Sequence, residues 1–88
     1  MPKYAVELSN QAARTLKRME IREPAVYRRV VHAINDLEVD PYQGKALQGA
    51  LQGRFSYRVG SYRLIYSISR QRLIVYLIDV GHRRDAYR

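Results

Sequence analysis

The chain of 88 residues predicts a two-layer α+β fold, with a helical hairpin packed on a mainly antiparallel sheet. Three observations carry that reading. Apolar residues recur at helical spacing through the first 40 positions, two stretches after residue 53 alternate with a period of two before a third that is continuously apolar, and the links between those stretches are short. The resulting order is β-α-α-β-β-β. One domain, residues 1–88, accommodates it, near the small end of what folds without disulfide or metal staples.

Tyr4 to Leu8 alternates as a short strand, and Ser9 then caps a helix that runs through Met19. Ala12, Ala13, Leu16 and Met19 form its apolar stripe. Glu23-Pro24 opens a second helix, because proline is tolerated in a first turn where its missing amide needs no acceptor. Val26, Val30, Ala33, Ile34 and Leu37 should cover a sheet, and Asp40-Pro41 ends the element. Residues 41–53, with glycine at 44, 49 and 53, read as a connection pinned to the core by Leu47 and Leu51. Three strands follow: Arg54 to Val59, Tyr62 to Ile68 and Arg72 to Val80, turning at Gly60-Ser61 and around Arg70-Gln71. Phe55, Tyr57 and Val59 share one face, and Ser56 and Arg58 the other; Leu64, Tyr66 and Ile68 likewise oppose Arg63, Ile65 and Ser67. The last strand is apolar on both faces, which suits an interior place in the sheet. The helices bury one sheet face, and the other is left for arginines.

Charge is unevenly divided along the chain. From Lys45 onward there are nine Lys and Arg against Asp79 and Asp85, whereas the first 44 residues hold seven basic and six acidic side chains. A field that one-sided raises the local concentration of polyanions and speeds their encounter. Several other classes of function are disfavoured. Without cysteine there is neither a disulfide nor a thiolate metal site, and His32 and His82 stand far apart with no ligand set around them. No Gly-rich phosphate cradle is present. The start MPKYAVELS lacks the apolar core of a secretory signal, and the longest apolar run, Leu73 to Ile78, is too short to span a bilayer. A cytoplasmic protein with no membrane association is expected.

The segments LQGALQGRFSYRVGSYRLIYSI and LIVYLIDVGHRRDAYR together resemble the RelE/ParE superfamily of bacterial type II toxin–antitoxin toxins, and more closely its RelE branch. The resemblance extends in layout over the whole chain. It implies an mRNA interferase that enters the ribosomal A site and cuts the bound message with neither metal nor cofactor. It also implies a cognate antitoxin that wraps the toxin and, with it, binds operator DNA. Carried over residue by residue, the catalytic set is Arg58 on the strand before the YR hairpin, Arg63 of the YR pair, Arg83 after the GH turn and Tyr87 near the C-terminus. The position two before Arg58, where that pattern carries Lys or Arg, is Ser56 here. A missing cation there would weaken phosphate binding or remove a proton acceptor. A ParE-like toxin acting on DNA gyrase and a non-cleaving translation blocker are the alternatives.

The residue types suit phosphoryl chemistry on RNA. RNA carries its own nucleophile, the 2′-OH, so a nuclease must align it with the departing 5′ oxygen, stabilise transition-state charge and manage two protons. Guanidiniums clasp phosphate oxygens bidentately, which nominates Arg58, Arg63 and Arg83 as a clamp; the competing reading is a basic rim that only binds nucleic acid or antitoxin acids. Arginine stays protonated and is a poor general base. Tyr87 is a candidate to orient the 2′-OH or stack on a base, and His82 is a candidate proton shuttle, with packing or turn structure as its rival role. Arg54, Arg84 and Arg88 are assigned to RNA or ribosome contacts. Tyr57 and Tyr66 read as core, and Tyr62 as a buttress for Arg63.

Overall fold

A computed structural model describes residues 3–82. The elements are β1 (Ala5–Leu8), α1 (Asn10–Arg22), α2 (Pro24–Val39), a 3₁₀ turn (Pro41–Gln43), β2 (Lys45–Ala46), a second 3₁₀ turn (Gly49–Leu51), β3 (Phe55–Val59), β4 (Tyr62–Ser69) and β5 (Ile74–His82). They form one five-stranded sheet in the order β1-β5-β4-β3-β2, with β1 parallel to β5 and the remaining neighbours antiparallel. The α+β reading and the helical hairpin hold. The connection after α2 differs from its sequence reading, because Lys45 and Ala46 pair with Ser56 and Phe55 to add an edge strand.

Ser9 ties the first helix to the sheet. Its Oγ accepts from the Ala12 amide at 3.0 Å, and its own hydroxyl donates to the Ile78 carbonyl oxygen at 2.6 Å. Such a cap is worth about 1 kcal/mol. Ala12, Leu16 and Met19 are buried, whereas Ala13 is exposed, because one residue of helix rotates its Cβ away from the stripe. α1 runs past Met19 to Arg22. Glu23 alone joins the helices: its amide donates to Met19 O at 2.8 Å, and its carbonyl accepts from Tyr27 at 2.9 Å. From α2, Val30, Ala33 and Leu37 complete the helical side of the core.

The sheet supplies Val59, Leu64, Tyr66, Val75, Leu77 and Val80 to the same core. A bulge makes the last of these available. Tyr66 pairs with Leu77 but Ile65 pairs with Asp79, so Ile78 is an extra residue on β5. A strict two-residue period from Leu77 would put Asp79 in the core position beneath the helices, where an ionised carboxylate would lose its water; with the bulge it stays at the solvated edge, its Oδ1 accepting from Gln11 Nε2 of α1 at 3.1 Å. The bulge brings Val80 there instead, and sets Gly81 opposite Arg63 and His82 opposite Tyr62. The β3–β4 hairpin turns tightly at Gly60-Ser61, where Gly60 has φ of 58°, a left-handed value that costs glycine little.

Candidate functional site

Two rows of side chains cross the sheet face away from the helices. One row follows the register Lys45–Ser56–Ile65, and the next follows Arg58–Arg63–Gly81; Asp79, opposite Ile65, instead reaches back to α1, where its Oδ1 accepts from Gln11 Nε2 at 3.1 Å. Directly opposed residues of antiparallel strands project to the same side, so Arg58 and Arg63 are like charges placed side by side. Such a pair destabilises a sheet on its own. A bound anion reverses that cost.

Arg63 is the fixed member. It is half-buried, and its Nη1 donates to Ser56 Oγ at 3.2 Å. Ser56 is only 3% exposed, so it serves as a small, buried acceptor beneath the guanidinium. Gly81, on the other side of Arg63, contributes no side chain to crowd it. Arg63 also lines a cleft of about 550 Å³ whose other wall is the segment Lys45 to Gln48. Arg58 is exposed, and its Nε–H reaches the Gly60 carbonyl oxygen at 3.4 Å. Its side chain lines a separate groove against α2, together with Arg28, Arg29 and His32. The two arginines are thus cross-strand neighbours whose side chains line different depressions.

Arg54 is exposed immediately before β3, and its carbonyl oxygen extends the β2–β3 ladder by accepting from Leu47 at 2.9 Å. His82 lies on the helix-facing side of the sheet, across from Arg63. Its ring meets the Tyr62 ring edge-on at 5.7 Å between centroids, and it lines the cleft between α1 and the end of β5. Tyr62 therefore does not buttress Arg63. Its hydroxyl donates to Glu23 Oε2 at 2.8 Å, and that bond, aided by burial, raises its pKa above the usual phenolic value. Tyr66 is fully buried and Tyr57 half-buried. Arg83, Arg84, Tyr87 and Arg88 lie outside the described residues. Among the described residues, no three His, Asp or Glu side chains gather as a metal-ligand set. Sequence reasoning passed over Lys45, whose place on the cationic face depends on a two-residue pairing that no periodicity announces.

Residues 6–87 match the family described as ParE toxin of type II toxin-antitoxin system, parDE. The chain belongs to the RelE/ParE toxin superfamily. Toxin RelG of Mycobacterium tuberculosis is 38% identical over 86 residues, which are 97% of this chain and 97% of that protein. The crystal structure of the toxin–antitoxin complex RelBE2 from the same organism contains a chain 36% identical, superposing with a TM-score of 0.79 over 92% of this chain and 99% of that one. A chain of the archaeal RelE–RelB complex from Pyrococcus horikoshii OT3, at 24% identity, shares the fold with a TM-score of 0.74 over 96% and 99% of the two chains. This RelE/ParE member is accordingly a toxin of a type II toxin–antitoxin system. The matched family carries the ParE description and the bacterial relative carries a Rel name.

Proposed function

We propose that this toxin is a ribosome-dependent endoribonuclease that cuts mRNA in the A site and thereby stops translation. The observation that carries the reading is the cross-strand pairing of Arg58 with Arg63, a like-charge arrangement that a phosphate would stabilise. In the reaction the 2′ oxygen bonds to phosphorus as the bond to the 5′ oxygen breaks. The 2′ proton leaves to a base, the 5′ oxygen gains a proton, and a 2′,3′-cyclic phosphate remains on the upstream fragment. Arg63, oriented by Ser56, donates to a non-bridging oxygen as its charge grows, and Arg58 swings from the Gly60 carbonyl to the other side of the phosphate. The resemblance assigns a third guanidinium to Arg83 and the orientation of the 2′-OH to Tyr87. The chemistry invoked uses no metal or cofactor.

So small a chain holds no flexible strand of RNA in line by itself; the ribosome supplies that preorganisation. Arg54, Arg84 and Arg88 serve ribosome and message contacts in this reading, and His82, on the far side of the sheet, serves packing. Action on ribosomes places the toxin in the cytoplasm; among the described residues no helix is long and apolar enough to cross a membrane. The solved RelBE2 and RelE–RelB relatives are toxin–antitoxin complexes. By analogy this toxin binds a cognate antitoxin that neutralises it, and the pair binds operator DNA through the antitoxin.

The deciding experiment adds purified toxin to ribosomes with a defined mRNA codon in the A site. Cleavage within that codon supports the proposal. An intact message together with growth arrest on expression selects a non-cleaving blocker. A ParE-like action on gyrase is the second reading, favoured by the family description that residues 6–87 match and by Ser56 at a position where active nucleases of the superfamily carry a cation. Gyrase-dependent double-strand breaks with uncut message would establish it.

A further inference from the structure

We infer that Lys45, on the edge strand β2, supplies a further cation to the phosphate site built around Arg63. This rests on the nuclease reading for its catalytic meaning, but the placement of Lys45 beside Arg63 is a property of the fold. The register pairs Lys45 directly with Ser56, so the two side chains stand on one face with Cβ atoms about 5 Å apart. Arg63 Nη1 lies 3.2 Å from the Ser56 hydroxyl, which brings the guanidinium over the same column. Lys45 and Arg63 then face each other across the cleft of about 550 Å³, and they are its only charged lining residues among those described. No ion pair joins Lys45 to a carboxylate among the described residues.

The short strand that carries Lys45 is held by more than its two-residue pairing. The buried Tyr66 hydroxyl donates to the Pro41 carbonyl oxygen at 2.6 Å, anchoring the turn that leads into β2. Gly44, immediately before Lys45, packs so closely that a Cβ there would run into Tyr66 Oη and stand 2.9 Å from the Ser56 carbonyl oxygen. Glycine is needed because two layers of backbone and the Tyr66 hydroxyl meet at that point. The result is an exposed lysine on a firmly held backbone, beside a guanidinium bonded to a buried serine. A lysine at this edge puts a cation directly opposite the position that Ser56 leaves without one. An RNA phosphate seated in the cleft would receive one donor from each wall.

The test uses the full chain with two separate readouts. In the first, a short RNA made uncleavable by a 2′-deoxy substitution is titrated into the free protein, and backbone and side-chain resonances are followed. Shifts at Lys45, Ser56 and Arg63 are expected, and Lys45→Ala should weaken binding by about tenfold or more, as for loss of one charge-assisted hydrogen bond. In the second, Lys45→Ala should slow single-turnover cleavage on saturated ribosomes by about 10–100-fold, whereas Lys45→Arg should stay within a few-fold of the parent. Unchanged RNA affinity in Lys45→Ala, or shifts that avoid residues 45 and 63, would overturn the site whether or not the toxin cuts RNA. Normal binding changes with no cleavage by the parent protein would leave the site standing and overturn the nuclease reading. A parent that cuts and a Lys45→Ala variant that cuts equally fast would overturn the catalytic role of Lys45.

Discussion

Tyr66→Phe removes one atom from the support beneath the candidate site, and its consequences can be worked out from the structure. The phenol is fully buried, its ring stacks on Phe55 at 5.6 Å between centroids, and its hydroxyl donates to Pro41 O at 2.6 Å. Phenylalanine keeps the ring and its stacking, so the loss is the bond together with the stranding of the Pro41 carbonyl. That costs about 1–3 kcal/mol at neutral pH. In a chain of 88 residues each kcal/mol lowers the melting temperature by about 4–8 °C. Alkaline pH adds a second signature. Burial pushes the Tyr66 pKa up from 10.0 to about 12. Below pH 10 the hydroxyl is neutral in both folded and unfolded chains, and its contribution is intact. Between about 10 and 12 the unfolded tyrosine ionises while the folded one keeps its proton. Stability is therefore lost as pH rises, at about 1.4 kcal/mol per unit and up to about 3 kcal/mol in all. The Phe variant lacks this term, so the gap between the two proteins should narrow, and can reverse, towards pH 12. Urea unfolding followed by circular dichroism at pH 7, 9 and 11 measures it. A difference under about 0.5 kcal/mol at pH 7, or parallel decline of both proteins above pH 10, would refute the reasoning.

Arg63→Ala should reduce single-turnover cleavage by about 10²–10³-fold, the scale of one well-placed oxyanion donor, with little change in melting temperature. Arg58→Ala should lose activity to a similar degree yet melt at the same temperature as the parent or higher, because it removes a like charge opposite Arg63. Ser56→Lys should not raise activity: a position 3% exposed between Lys45 and Arg63 would gain an ammonium repelled by about 4 kcal/mol per neighbour at 4 Å and an effective dielectric of 20, visible as a large drop in melting temperature. Gly44→Ala should destabilise by about 1–3 kcal/mol through its clash with Tyr66 Oη and the Ser56 carbonyl, and should lower the cleavage rate by displacing Lys45.

The helices were legible because their signals are local. Ser9 and Pro24 mark the starts, and the apolar stripes run at helical spacing over enough residues to be unambiguous. The β3–β4 hairpin was legible for the same reason, since Gly60-Ser61 sits between two alternating runs. The strand β2 was not, because two residues cannot display a period and their pairing with β3 is decided by tertiary closeness at Gly44. The bulge at Ile78 was equally hidden, as only the ladder with β4 reveals which residue is extra. Its effect reaches the site: it sets Gly81 beside Arg63 and turns His82 to the helix side. Tyr62 shows a milder failure. Adjacent residues on a strand point to opposite faces, so its neighbour Arg63 could not be its partner, and the actual partner, Glu23, sits 39 residues away. Arg63 and Arg58 were singled out from motif resemblance, while the roles of Ser56 as acceptor and Lys45 as neighbour needed the register.

The most direct test of the central claim replaces the 2′-hydroxyl of the attacked nucleotide with hydrogen in an mRNA programmed into the ribosomal A site. With the ribose message, the toxin should cut within the A-site codon and leave a 2′,3′-cyclic phosphate on the upstream fragment. With the deoxy message, cutting at that bond should vanish while toxin binding to the ribosome persists. Cleavage that survives the substitution would contradict attack by the 2′ oxygen, and absence of cleavage in both messages would contradict the nuclease reading itself.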